Sequence, residues 1–330
     1  MYLSLLIELL GTKGANLCEM FRLGLPVPHG FVLSTDACRD FYQEGSRELS
    51  ETLVAEIERA VKSLEGQTGK LFGSVQRSKD NPNVALPPLM LSIRTSPAMH
   101  ISGLSETVLD LGLNSLLVNM LTREFTNHRW IYDVYLRCLA AYGTVVQQID
   151  PSRYDDIVHS YCEEHSVENI SFLPEEALKE MTQKFRLFTD LPEDPMQQLH
   201  QVIKAFYQSW NSVSAVQYRR LRNISNDQLL GVIIQSMVHG DFNDKSGAGI
   251  AYTRNPNTGI KELYGEFLMK AVGDDVLRGN RNPLKLEQLY NINPQVYDRL
   301  INVMNVLEQH YRDVQVIFTI YTQNKGSLIM

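Results

Sequence analysis

The 330-residue chain has no surplus of positive charge: 38 acidic residues against 31 basic ones leave a net charge of −7. It therefore has no general attraction for nucleic acid or an anionic membrane surface, and any anionic ligand has to be held by a local basic cluster. Cysteine is sparse. Cys18, Cys38, Cys138 and Cys162 form no C-x-x-C pair and have no histidine at metal-ligand spacing, so they are read as reduced, mostly buried thiols of a cytoplasmic protein. No stretch is long and apolar enough to span a bilayer. The opening MYLSLLIELL has neither a basic leader nor a small-residue cleavage site, and is expected to form a buried strand or helix end. The eight histidines fall into no Ser/His/Asp order, and no internal repeat is visible.

What is present is an ordinary globular composition, 44% hydrophobic and 21% charged. The length implies two or three units. From Ala15 to Leu23, Leu17, Met20 and Phe21 are placed on one helical face, and Gly24 with Pro26 stops that helix. A strand follows over Val27 to Leu33. Leu49, Leu53, Ile57, Val61 and Leu64 recur every three or four residues and predict a second helix over Glu48 to Leu64. Thr68 to Pro88 is polar and turn-rich, and is read as a loop.

Leu89 to Arg94 has strand character, with Ser92 and Arg94 on one face. Helical spacing then dominates from Asn114 to about Gln148, continues through an acidic stretch to Asp194, and resumes from Met196 to Leu221. Beyond it the period changes. Residues 231–238, 247–253 and 261–268 read as three strands of an antiparallel meander separated by turn formers. A helix from Tyr297 to Tyr311 and a final hairpin, VQVIFTI with GSLIM, complete the chain.

Three elements could carry chemistry. Gly11-Thr12-Lys13-Gly14 lacks the spacing of a nucleotide P-loop and the Ser or Thr that follows its lysine. Its backbone nevertheless leads into a helix N-terminus, where free N–H groups favour an anion; a plain turn with an exposed lysine is the other reading. Arg94, followed by a small-residue loop, suits phosphate oxygens through bidentate guanidinium bonding, or else is a salt-bridging arginine at a sheet edge. Gln235 lies within the apolar strand VIIQSMV, whose end either lines an adenine ring or uses the glutamine to satisfy a neighbour. Gly247-Ala248-Gly249 is no dinucleotide loop, because Tyr252 takes the third glycine position and no helix follows. Gly69-Lys70 likewise lacks P-loop spacing.

Taken together, these stretches resemble the N-terminal nucleotide-binding domain of the pyruvate phosphate dikinase family. LLGTKGANLCEMFRLGLPVPHGFVLST is similar to that family's G-G-K-G-A-N-L-x-E-M…G-L-P-V-P-x-G-F, with Thr12 in place of a glycine. LSIRTS…ISGLSETVLDLGLN is similar to V-R-S-G…M-P-G-M-M-D-T-x-L-N-L-G-L-N. YDVYLRCLAAYGTVV, DPMQQLHQVIKAFYQSWNSVSAVQYRRLRNI and SGAGIAYTRNPNTGIKELYGEFL follow in family order, so the likeness runs from about Leu9 to Thr319. The resemblance implies an α+β, ATP-grasp-like fold with a helical insertion. Its parts would be a basic-loop α/β subdomain over 1–111 and 196–240, a helical insertion over 112–195, and a β-rich subdomain over 241–330. It also implies ATP as the bound nucleotide, with Lys13 and Arg94 as the catalytic, phosphate-holding cations. Gly103 would lie in a covering loop, and Gln235, Met237 and Val238 would line the adenine.

Family members pass phosphate from ATP to a histidine on a separate domain and then to pyruvate, giving AMP, pyrophosphate and phosphoenolpyruvate. No T-S-H phosphohistidine motif occurs here, so the implied partner is a histidine-carrying domain or chain. The family strand M-Q-D-I-E-F-T, whose acids hold Mg²⁺, appears as VQVIFT with Val316 for the aspartate and no glutamate, so no metal ligand is assigned. Asp313 and Glu308, the nearest acids, are read as lying on the solvated face of the last helix. The chain stops before the family's Q-T-R motif, and RTSP replaces R-S-G-A. Two readings result: an ATP-binding, phosphoryl-donating domain of a dikinase-type phosphotransferase, or a degenerate nucleotide-binding or interaction module without catalysis.

Overall fold

The computed structural model describes residues 2–43, 47–78, 81, 83–99, 106–225, 228–278, 281–321 and 327–330. They form a mixed α+β fold of antiparallel sheets and many helices, divided into two compact units: residues 1–16 with 29–237, and residues 17–28 with 238–330. Among the described residues no helix is long and apolar enough to cross a membrane. Helix α1 (Tyr2–Arg22) opens the chain. The first ten residues are therefore helical from Tyr2 onward.

In the first unit α1 is followed by β1 (Gly30–Leu33), α2 (Thr35–Gln43), α3 (Glu51–Thr68), a ribbon of β2 (Gln76–Arg77) and β3 (Ala85–Leu86), β4 (Leu91–Pro97) and β5 (Thr107–Leu111). Six helices follow: α4 (Ser115–Glu124), α5 (His128–Val146), α6 (Ser152–Glu164), α7 (Glu175–Arg186), α8 (Pro195–Trp210) and α9 (Val213–Leu221). Strand β6 (Leu230–Ser236) then completes a four-stranded antiparallel sheet in the order β1-β6-β4-β5. Side-chain oxygens start several of these helices, as N-caps do. Ser50 accepts from Leu53 N–H, Asn114 from Leu117 N–H, and Asp194, with Pro195 after it, from Met196 N–H. Ser212 caps α9 in the same way, so the helical stretch expected from 196 to 221 breaks into two at Asn211 and Ser212.

The core of this unit is a stripe on α5 (Ile131, Val134, Tyr135, Cys138, Leu139, Tyr142) packed on α7, α8 and β5. Leu91, Ile93, Val232 and Ile234 join it from the sheet. Of the stripe expected over Glu48 to Leu64, Leu53, Ile57, Val61 and Leu64 are buried in α3, whereas Glu48 and Leu49 precede its N-cap, Ser50, whose side chain starts the helix at Glu51. Helix α2 and the β2–β3 ribbon fall in stretches too short for periodicity to register.

The second unit contains β7 (Gly247–Tyr252), β8 (Tyr264–Met269), α10 (Gly273–Arg278), β9 (Leu284–Lys285), α11 (Leu289–Ile292), α12 (Pro294–Tyr311), β10 (Gln315–Tyr321) and β11 (Ser327–Ile329). Its sheet runs β11-β10-β7-β8-β9, all antiparallel, and the expected terminal hairpin is the β10–β11 pair. Leu300, Val303, Met304 and Leu307 of α12 share a core with Phe267, Phe318 and Ile320. The end of α1 belongs here too. Leu25 N–H donates to Met20 O, and Gly24, at φ 73°, donates to Phe21 O. This glycine-ended cap brings Met20 and Leu25 into one core. Phe21, expected beside Met20, is instead 66% exposed, since adjacent helical residues point about 100° apart.

The meander expected from 231 to 268 is not formed. β7 and β8 pair with each other, but β6 pairs with β1 and β4 in the other sheet. Six of the seven β6 residues, Leu230 to Gln235, are buried in succession, the mark of an interior strand covered on both faces. β8 alternates at its start, as a half-exposed strand does.

Candidate functional site

Lys13 and Arg94 come together in the first unit because α1 is bent onto the end of β4. Gly11 has φ 72° and ψ 169°, backbone open essentially to glycine alone, and it interrupts α1 without ending it. In an unbroken helix Gly14 N–H would donate to Leu10 O. Here Ser96 Oγ sits in that link, accepting from Gly14 N–H at 3.0 Å and donating to Leu10 O at 2.8 Å. An inserted side chain of this kind is a recognised cause of a helix kink. Thr12 Oγ1 adds a bond to Ala98 O at 2.5 Å. The Gly11–Gly14 turn therefore lies inside α1, and the Gly14 N–H that could have faced an anion is already bound.

Lys13 is half-buried, and its pKa is lowered first by burial and then by the charge of Arg94. Arg94 sits within β4, an interior strand, so it is not the sheet-edge residue of the alternative reading. Its pKa is also lowered by burial. One guanidinium nitrogen, Nη2, donates to Gln235 Oε1, while Nε is buried with no hydrogen-bond partner among the described residues. Two like charges held together with an unsatisfied buried donor favour a multiply charged anion, which would supply both countercharge and acceptor oxygens.

Gln235 is buried on the same sheet face as Ser92, directly opposite it in register, and serves Arg94. Sequence reasoning kept this neighbour-satisfying use open. Ser236 N–H donates to His29 O and Met237 N–H to Met90 O, so those two donors are engaged by the fold. Met237 packs against the first unit's core; Val238 is half-buried and belongs to the second unit. Gly103 lies outside the described residues. Glu106, at the foot of β5, was not singled out from sequence. It accepts from Ser209 Oγ at 3.1 Å, and burial pushes its carboxyl up to about 6.

The donor set for Mg²⁺ is poor. Residues 314–330 contain no Asp or Glu. Val316, Phe318 and Ile320 of β10 are buried, and its other face carries Gln315, Ile317, Thr319 and Tyr321. Glu308 is not on a solvated helix face: it is 5% exposed and paired with Arg254 at 2.6 Å. Asp313 is exposed, but lies past the end of α12. Among the described residues no cluster of three or more His, Cys, Asp or Glu could hold a metal ion. These residues do not fit the ion.

A family model described as pyruvate phosphate dikinase, AMP/ATP-binding domain, matches residues 7–289. The chain belongs to this family. It is 36% identical over 315 residues to pyruvate, phosphate dikinase of Clostridium symbiosum, covering 93% of this chain and 35% of that protein. It is 38% identical over 320 residues to pyruvate, phosphate dikinase 1, chloroplastic, of Zea mays, covering 95% and 32%. With the Rickettsia typhi pyruvate, phosphate dikinase it shares 34% over 324 residues, covering 95% and 36%. The chain thus spans about a third of the length of these relatives. Set on the family pattern, Thr12 and Ser96 both stand where the pattern has glycine, and both hydroxyls are bonded at the Lys13–Arg94 site. Those two departures were the available signal for residues that sequence reasoning passed over.

Proposed function

We propose that this chain is the ATP-binding, phosphoryl-donating domain of a pyruvate phosphate dikinase-type phosphotransferase. In this reading the fold is ATP-grasp-like, with a basic-loop subdomain over 1–111 and 196–240, a helical insertion over 112–195 and a β-rich subdomain over 241–330. Lys13 and Arg94 hold the phosphate chain, Gly103 belongs to the loop that covers it, and Gln235 to Val238 lie at the base. The phosphoryl group passes to a histidine on another domain or chain. Its four free cysteines fit a reducing, cytoplasmic setting.

The observation that carries the reading is the Nε of Arg94, buried with no hydrogen-bond partner among the described residues and held beside Lys13, whose amine feels the arginine's charge. Titration calorimetry of ATP into the native chain, Lys13→Ala and Arg94→Ala tests it. Each substitution is expected to cost roughly 1.5–3 kcal/mol of binding. Unchanged affinity in both variants, with circular dichroism intact, would overturn the assignment. Competition by GTP as effective as ATP would remove the adenine assignment.

A second reading, nucleotide binding without phosphoryl transfer, is favoured by the absence of carboxylates on β10. Phosphoryl transfer depends on neutralising phosphate charge, for which fixed metal ions are a principal means.

A further inference from the structure

We infer that Ser96 and Thr12 are positioning residues: their hydroxyls clamp the kinked turn carrying Lys13 to the end of the strand carrying Arg94, and so hold the two cations as a pair. This rests on the phosphate-binding reading of that pair and adds the residues that fix it.

The clamp has two points. At the first, the Ser96 hydroxyl replaces one rung of the α1 ladder with two bonds, from Gly14 N–H to Ser96 Oγ and from Ser96 Oγ to Leu10 O. Ser96 is fully buried, so both backbone groups depend on it. Its carbonyl oxygen also fills the space beside Gly11, where a Cβ would come within 1.7 Å. At the second point, Thr12 Oγ1 donates to Ala98 O. Lys13 lies between Thr12 and Gly14, each tied to the 96–98 segment, and Arg94 lies two residues before Ser96 on the same strand. Thr12 precedes Lys13 directly, so freeing its side chain releases the turn on which the lysine stands. Glycine at either position, as in the family pattern, has no hydroxyl and cannot make these bonds. The clamp therefore comes from this chain's own side chains.

The bonds fix the backbone on either side of the lysine. A clamp of this kind raises affinity by preorganisation, because the turn is already ordered before the anion arrives.

The test uses the full chain with Ser96→Ala, Thr12→Val and the hydroxyl-retaining Thr12→Ser, each also in a Lys13→Ala background. ATP affinity is read by calorimetry, and the Lys13 amine is titrated by NMR after ¹³C reductive methylation. Loss of either hydroxyl is expected to raise the ATP dissociation constant roughly three- to tenfold. Thr12→Ser should stay near native, and the effect should shrink to about twofold or less once Lys13 is gone, as coupled residues behave. The Lys13 pKa is expected to rise towards the ordinary lysine value in Ser96→Ala and Thr12→Val. Unchanged affinity in both variants while Lys13→Ala still weakens binding would overturn the clamp, as would an equal loss with and without Lys13. If the native chain bound no ATP, the phosphate reading would fail, and the Lys13 titration would still decide the clamp: a shift supports it, and no shift refutes it. Should Ser96→Ala fail to fold, the comparison of Thr12→Val with Thr12→Ser decides the same question.

Discussion

Gly11→Ala is expected to be among the most damaging single-methyl additions in the first unit. The native φ of 72° and ψ of 169° lie where an L side chain is strained by roughly 1–3 kcal/mol. The new Cβ would also stand 1.7 Å from the Ser96 carbonyl oxygen and 2.4 Å from its carbonyl carbon. These are backbone atoms of an interior strand, so relief requires moving β4 or α1, and overpacking of that sort costs roughly 1–3 kcal/mol more. The sum, roughly 2–6 kcal/mol, is a large share of the 5–15 kcal/mol or so that stabilises a typical domain. Both tryptophans, Trp130 and Trp210, lie in the first unit, so urea unfolding followed by their fluorescence reports on it. Gly69→Ala is the control. Gly69, the C-cap of α3, also has positive φ, 65°, but a Cβ there meets nothing within 4 Å, leaving only a conformational cost of roughly 1–2 kcal/mol. A Gly11→Ala midpoint equal to or above that of Gly69→Ala would refute the close approach of α1 and β4, and with it the origin of the kink. ATP affinity should fall in Gly11→Ala, because Lys13 and Arg94 flank the two segments forced apart.

Glu106→Gln is expected to stabilise the chain at pH 8 by up to roughly 2 kcal/mol and to do little at pH 4. Burial raises this carboxyl from 4.5 to about 6, so its favourable contribution is complete below the unfolded value and is lost as pH rises through 6. Denaturation midpoints with equal pH dependence in both proteins would contradict this. Arg219→Lys should cost roughly 2–3 kcal/mol, because the fully buried guanidinium donates to Trp210 O and Asn211 Oδ1 and stacks on the Trp210 ring at 4.5 Å. Native-like stability with unaltered tryptophan emission would rule that out. Purified chain incubated with ATP and Mg²⁺ is expected to form no AMP, and its ATP affinity to respond little to Mg²⁺ beyond formation of Mg·ATP in solution. AMP production that disappears in Lys13→Ala would reverse this, whereas AMP formed only after a dikinase phosphohistidine domain is added would reveal a competent donor.

Features governed by neighbours along the chain were readable from residue order. The apolar stripe of α3, the glycine stop at Gly24 and the β10–β11 hairpin each depend on spacing within about twenty residues, where helix and strand periods fix which side chains share a face. The basic candidates Lys13 and Arg94 were visible for the same reason, as residues flanked by small, turn-forming neighbours. Partnership between distant segments was not readable. The apolar run of β6 looks the same whether it joins β7 or lies between β1 and β4, because its pattern records burial and not the identity of the strand beside it. The last helix set Glu308 among polar neighbours, yet the fold buries it against Arg254, fifty-four positions earlier in the chain. Ser96 reads as one more small residue in a loop-like stretch. Only the folding of α1 over β4 carries its hydroxyl into a helix rung eighty-two residues away, because a hydrogen bond needs donor and acceptor within about 3 Å, and closing so long a separation is the work of the whole core.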